Sequence, residues 1–197
     1  MAYPTLSGPY GMLPVNLIGG QVFAGSTRMI PIVTNSSTAI YYGDVVKLGS
    51  DGTLSKDTGT DAATPVGVFL GCTYTDATYG KTFRQYYPGT TNVTDVQAYI
   101  LDDPDALFKV AVVSSSTTIS YVNRTAVGNN AVLVQNTGST IVGDSRNAIS
   151  STTATTSTWP LRIIDVVSET QTSAGSYTEV VVKWNQGMHQ YLNPTGV

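Results

Sequence analysis

Three features of this sequence could do chemistry: one histidine, one cysteine and one cluster of carboxylates. His189 lies in the polar stretch Asn185-Gln186-Gly187-Met188-His189-Gln190-Tyr191, and no Gly-x-Ser-x-Gly elbow accompanies it. A triad would need a serine and a carboxylate brought beside it, so an exposed or interface histidine is the plainer expectation. Cys72 closes the apolar run 65–72, where a buried, inert thiol is expected rather than a nucleophile. Neither residue has partners at a metal-ligand spacing. Asp102, Asp103 and Asp105 flank Pro104. Asp103 suits a helix cap, Pro104 the first helical position and Asp105 the positive end of a short turn. A calcium loop of EF-hand type would need a glycine and a final glutamate that are missing. Dispersed carboxylates could serve a glycosidase, but the chain has only Glu169 and Glu179 to add to its aspartates. No glycine-rich phosphate loop of Walker or Rossmann type occurs. No catalytic residue, cofactor or metal is therefore expected, and an enzyme ranks last among the readings.

The elements that would position these residues are strands. The 197 residues hold 29 Thr, 23 Val and 12 Tyr against 2 Glu and 11 Leu, a balance that favours pleated, half-buried backbone over helix. Nineteen Gly and nine Pro break the chain too often for a bundle, a coiled coil or a membrane-spanning helix. Charged residues are 12% of the chain and the net charge is −3, with no cluster of Lys or Arg to neutralise phosphates, so neither nucleic acid nor membrane is an expected partner. Residues 1–6 lack the charged and apolar regions of a secretory signal, and a product of the cytoplasm is expected.

Short runs bounded by turn residues predict an all-β barrel or sandwich of about ten strands with one short helical turn at 102–108. Candidate strands are 28–33, 44–48, 65–72, 81–87, 96–101, 108–113, 119–122, 131–135, 161–167 and 177–184. Pro31 cannot donate to a ladder and demotes the first to an edge. Asp51-Gly52 predicts a hairpin turn. In 177–184, Thr178, Val180, Val182 and Trp184 alternate with Tyr177, Glu179, Val181 and Lys183, which predicts one buried face. The Ser/Thr-rich stretch 150–158 reads as a loop. The β-domain is placed at 21–184, as one unit or as two with a seam near 113–127 or 150–160, followed by a tail at 185–197.

Residues 1–20 read as an extended arm. Prolines and glycines interrupt it, yet Tyr3, Leu6, Tyr10, Met12, Leu13, Val15, Leu17 and Ile18 are apolar. Such an arm either folds back over its own domain or packs on a neighbour, and these eight residues are the candidate partner-binding set. Its removal is expected to weaken attachment without unfolding the domain. The doublets Tyr41-Tyr42 and Tyr86-Tyr87 should each turn one ring outward, toward a protein contact or a sugar.

The order of motifs carries a resemblance. The arm ending Asn16-Leu17-Ile18-Gly19-Gly20 is followed by Tyr42-Gly43-Asp44-Val45-Val46-Lys47-Leu48 and Ser50-Asp51-Gly52-Thr53-Leu54. Then come Pro65-Val66-Gly67-Val68-Phe69-Leu70-Gly71-Cys72, Gln85-Tyr86-Tyr87-Pro88, the Asp102 to Phe108 turn, Leu161 to Val167 and Tyr177 to Val182. This resembles the small structural proteins of tailed bacteriophages, especially of marine phages, that are similar to head decoration (cement) proteins. The resemblance implies a homotrimer on the outer surface of the capsid, made in the host cytoplasm, which bridges major capsid subunits against the pressure of packed DNA. Weak contacts repeated over several subunits would give durable attachment by avidity. The alternatives are a tail-tube or head–tail joining protein, and a carbohydrate-binding module that uses tyrosines as stacking platforms.

Overall fold

The computed structural model describes residues 6–33, 36–90, 92–171 and 176–197. Twelve strands occur among them: β1 (Leu13–Leu17), β2 (Arg28–Pro31), β3 (Val45–Leu48), β4 (Leu54–Lys56), β5 (Gly67–Asp76), β6 (Gly80–Arg84), β7 (Val93–Leu101), β8 (Ala106–Val113), β9 (Asn130–Val134), β10 (Ala148–Ala154), β11 (Leu161–Val166) and β12 (Glu179–Trp184). The expected all-β class holds. No described helix is long and apolar enough to cross a membrane.

The strands form two six-stranded sheets, of which the first closes on itself by strand pairing and the second brings its ends together at a single bridge. In the first, β8, β10, β9, β11 and β12 pair in that order and β12 returns to β8, with β1 added antiparallel along the first half of β8. In the second the order is β2-β7-β5-β3-β4, with β6 on the outer part of β5. A parallel bridge from Ile32 to Leu54 brings its two ends together. Pro31 sits where expected, on the outermost strand of this path. Asp51-Gly52 makes the β3–β4 hairpin, with Gly52 at φ 74°.

Closure explains the burial pattern. Phe108, Val110 and Val112 of β8 point into the first barrel with Ile163, Val180 and Val182, while Ile30, Phe69, Cys72 and Ile100 fill the second. The alternation expected for 177–184 is observed through Val180, Val182 and Trp184. Val45, Val68 and Leu101 of the second barrel join the first barrel's core. The two barrels therefore share apolar packing across their junction.

Several expectations are corrected. The segment 102–108 is a tight β-turn and the start of β8: the Ala106 amide donates to the Asp103 carbonyl at 3.2 Å, and the Asp105 amide to Asp103 Oδ1 at 2.8 Å. Four residues between two strands leave no room for a helix, and Asp-Pro-Asp suits the first three positions of a type I turn. The helical turns among the described residues are short 3-10 turns at Arg124–Ala126, Ser168–Thr170 and Gln190–Leu192. The chain passes from the first barrel to the second between β1 and β2 and back again at 102–105, both ahead of the segments where a seam was expected. Most of 150–158 lies in β10, where threonines fit the ladder between β9 and the end of β8. Residues 119–122 make a single bridge, Val113 to Ile119, and no strand.

Both ends of the chain tie the barrels together. Gly11, at φ 83°, threads the junction: its amide donates to Asn147 O at 3.1 Å, and the Met12 amide to Gly43 O at 3.0 Å. A Cβ at Gly11 would stand 2.8 Å from Gly43 O and 2.6 Å from Ser145 Cβ. At the other end, residues 185–192 are a strap rather than a tail. Asn185 Nδ2 donates to the Ser157 and Trp159 carbonyls of the first barrel, both at 2.9 Å. Gln190 brackets the backbone of Leu48 in the second, accepting from its amide at 2.7 Å and donating to its carbonyl at 3.1 Å.

Candidate interaction surface

The structure describes seven of the eight arm residues and divides them into two groups. Tyr3 lies outside the described residues. Leu6 and Tyr10 cover the outside of the first barrel, packing on the cluster of Ala111, Val113, Ala148 and Tyr177. Tyr10 is locked there: its hydroxyl donates to Glu179 Oε1 at 2.5 Å, Lys109 Nζ lies 3.0 Å from the same oxygen, and that ammonium sits over the Tyr10 ring. Burial, then the hydrogen bond to Glu179, raise the Tyr10 pKa, so the phenol stays protonated. Met12 is fully buried in the shared core, and Leu17 packs against it. Half of the supposed arm is therefore interior to its own fold.

The other three face outward. Leu13, Val15 and Ile18 are 36%, 41% and 49% exposed; the first two lie on β1, which pairs with β8, and Ile18 follows it with its amide donating to Asp105 O at 3.0 Å. Leu13 lies beside Lys109, which is paired in turn with Val181 of β12. The chain then reverses, with the Leu17 amide donating to Gln21 O at 2.8 Å and Val22 bridging back to Asn16. Val22 is also exposed. The result is an apolar strip on a rigid support.

Two further apolar groups carry no signal that a reading of single strands could find. Register sets Met29, Tyr99 and Gly71 in one row across β2, β7 and β5, and Phe83 of β6, whose own register partner is Thr73, reaches diagonally into it. The Phe83 and Tyr99 rings meet at 5.8 Å over Gly71, where a Cβ would touch the Phe83 ring at 3.5 Å. Lys81 and Arg84 are exposed on the same β6, charges of the kind that discourage edge-to-edge pairing. The second group is the tip Ile141-Val142, with Ile141 93% exposed. It is held by backbone bonds between Ser139 and Asp144 and between Gly143 and Ser139.

The tyrosine doublets each turn one ring inward. Tyr41 and Tyr87 are buried, and Tyr42 and Tyr86 half-buried. Tyr41 stacks on Tyr86 at 5.7 Å and 13°, so these rings are occupied with each other.

The residues first considered for chemistry are dispersed. Cys72 is buried in the second barrel, and desolvation pushes its pKa up to about 12, which leaves a thiol and not a thiolate at neutral pH. Asp102 pairs with Arg28 at 2.8 Å and Asp105 with Lys183 at 2.5 Å. Among the described residues no group of three His, Cys, Asp or Glu could hold a metal ion.

His189 corrects the expectation of exposure: it is fully buried. The strap folds it inward against Trp184, with ring centroids 6.3 Å apart. Its Nδ1 accepts from the Tyr191 amide at 3.3 Å and caps the last 3-10 turn, so the ring proton sits on Nε2. Burial lowers the His189 pKa, opposed by the Val66 backbone and by Asp102 and Asp103 and reinforced by Lys183. In the unfolded chain the ring titrates near its ordinary value, so unfolding takes up protons as pH falls through about 6.5 and the fold loses stability there. Above that pH both states are neutral and the contribution vanishes. His189→Asn keeps a capping acceptor and removes the titration. Its midpoint in urea is expected to change less between pH 7.5 and 5.5 than that of the parent; equal changes would exclude His189 as the source.

No protein-family model, no curated protein and no solved structure matches this chain.

Proposed function

We propose that this chain is a structural protein of a tailed-phage particle, a head decoration protein that binds the outer capsid surface and bridges major capsid subunits, acting as a trimer. The observation that carries the reading is the outward strip of Leu13 and Val15 on β1, which β8 holds in place, and Ile18 just after it, tied by its amide to Asp105 O. Apolar side chains fixed on a barrel wall lose little entropy on binding, and modest contacts repeated over a lattice become durable. The junction fits a load-bearing role as well, since both ends of the chain bind one barrel to the other.

The test follows from where the residues lie. Deleting 1–20 would remove Met12 from the core and β1 from β8, so loss of attachment would not separate binding from folding. The triple variant Leu13→Ser, Val15→Ser, Ile18→Ser changes exposed side chains only. It is expected to melt within a few degrees of the parent and to lose most of its occupancy on isolated heads. Occupancy equal to the parent's would remove the strip from the interface. Copies counted on the intact particle should number in the hundreds over the head; six per ring along a tail would replace this reading with the tail-tube one.

A further inference from the structure

The apolar strip leads into a cleft that its exposed residues alone do not explain. The turn after β1 and the 102–105 turn between the barrels enclose about 230 Å³, with Leu17, Val22, Phe23, Ala24 and Leu101 as apolar wall and the Asp102-Asp103 pair at one side. Leu17 and Phe23 pack on the shared core, which makes that wall firm. The charges at the cleft do not balance. Of the three carboxylates in the turn, Asp102 is paired with Arg28 and Asp105 with Lys183. Asp103 has no ion-pair partner among the described residues. Its Oδ1 takes the Asp105 amide, and its Oδ2 makes no hydrogen bond there. Turn formation accounts for one oxygen of Asp103 and leaves the other, with the charge, beside an apolar slot.

We propose that this cleft receives a lysine or arginine side chain from an extended segment of the protein partner. A long aliphatic stem would lie against Leu17, Phe23 and Leu101, and the cationic head would reach Asp103. Charge complementarity selects this occupant. An acidic side chain would face an uncompensated carboxylate, and a purely apolar one would bury Asp103 without a partner. Val22 belongs to both the cleft wall and the exposed strip, so one extended segment could occupy both. The inference rests on the attachment reading and names the chemistry of the partner.

The probes are three tripeptides, acetyl-Val-Arg-Val-amide, acetyl-Val-Lys-Val-amide and acetyl-Val-Glu-Val-amide, titrated into the full ¹⁵N-labelled chain and followed by amide chemical shifts. Saturable shifts confined to residues 17–24 and 101–103 are expected with a basic peptide. The acidic peptide should bind at least about tenfold more weakly, as loss of a charge-assisted contact implies. Asp103→Asn keeps the turn, because asparagine also makes this side-chain bond to backbone, and it should erase that preference. Absence of localised shifts with either basic peptide at 10 mM overturns the proposal, as does equal binding of the acidic peptide or an unchanged preference in Asp103→Asn. These outcomes are independent of heads. If the triple serine variant fails to attach while Asp103 proves irrelevant to the peptides, the cleft falls and the attachment reading stands. The reverse result overturns the attachment reading and leaves the cleft as a binder of basic segments.

Discussion

Asp44→Ala is expected to cost about 3–5 kcal/mol of unfolding free energy, because it leaves Lys56 charged in a buried setting without its partner. Asp44 is completely buried where the two barrels meet. Its Oδ2 lies 2.8 Å from Lys56 Nζ and accepts from the Tyr41 amide at 2.9 Å, while its Oδ1 accepts from the Ser145 hydroxyl at 2.6 Å. Ser145 comes from the loop before β10 of the first barrel, and Lys56 ends β4 of the second. The carboxylate thus joins both barrels, and the Lys56 ammonium also lies over the Tyr41 ring at 5.9 Å. Equilibrium unfolding in urea measures the loss. The double variant Asp44→Ala, Lys56→Met should recover part of it, since the uncompensated cation is gone and only the Tyr41 amide and the Ser145 hydroxyl proton lose their acceptor. A loss below 1 kcal/mol in the single variant would show that water reaches this site and that the ion pair is not the tie inferred here.

Phe108→Ala is expected to cost a similar amount, about 3–5 kcal/mol, by emptying the middle of the first barrel. Phe108 is fully buried and meets the Trp184 ring at 5.3 Å and 54°. A closed barrel cannot collapse onto the vacancy without shifting the registers of β8 against both β1 and β12, so relaxation should be limited. At about 2–4 °C per kcal/mol for a chain of this size, the melting temperature should fall by roughly 6–20 °C. The shape of the transition is as informative as its midpoint. Val45, Val68 and Leu101 continue the first barrel's core into the second, and both ends of the chain cross the junction. The two barrels should therefore melt together in the variant as in the parent. Two resolved transitions, one of them unmoved by the substitution, would mean that the junction does not couple them.

Much of the strand content was legible, for local reasons. Gly and Pro mark turns, and β-branched residues between them mark ladders, so β2, β3, β5, β6, β7, β8, β9, β11 and β12 all overlap expected runs. The failures share a cause. Residues 13–17 contain Pro14 and sit among glycines, so they read as an arm. Pro14 is tolerated because the ladder to β8 is irregular between Pro14 and Leu17. The Ser/Thr stretch became β10 because the ends of β8 and β9 offered it two partners, and partners lie outside any local window. Asp-Pro-Asp satisfies a helix start and a type I turn equally well, and only the distance to the next strand decides between them.

The candidate site was legible in part and for the same reason. Apolar residues between positions 6 and 18 marked the right segment, yet spacing could not say which of them faced inward. Gly11, with its positive φ, lets the chain pass through the junction; that passage places Met12 in the core and leaves Leu13, Val15 and Ile18 on the surface. The group of Met29, Tyr99 and Phe83 exists only through the pairing of four strands and a diagonal contact over Gly71. The burial of His189 depends on a strap that reaches the other barrel.

By itself, then, the sequence determined an all-β chain, its main turns, an inert cysteine and an apolar N-terminal segment, because these follow from backbone preference and side-chain chemistry within a few residues. Tertiary structure alone decided that there are two barrels, where they join, and which side of each apolar segment remains free to meet a partner. Those are matters of strand pairing and register, and pairing is set by contacts between residues far apart in the chain, where a shift of a single residue turns a buried face outward.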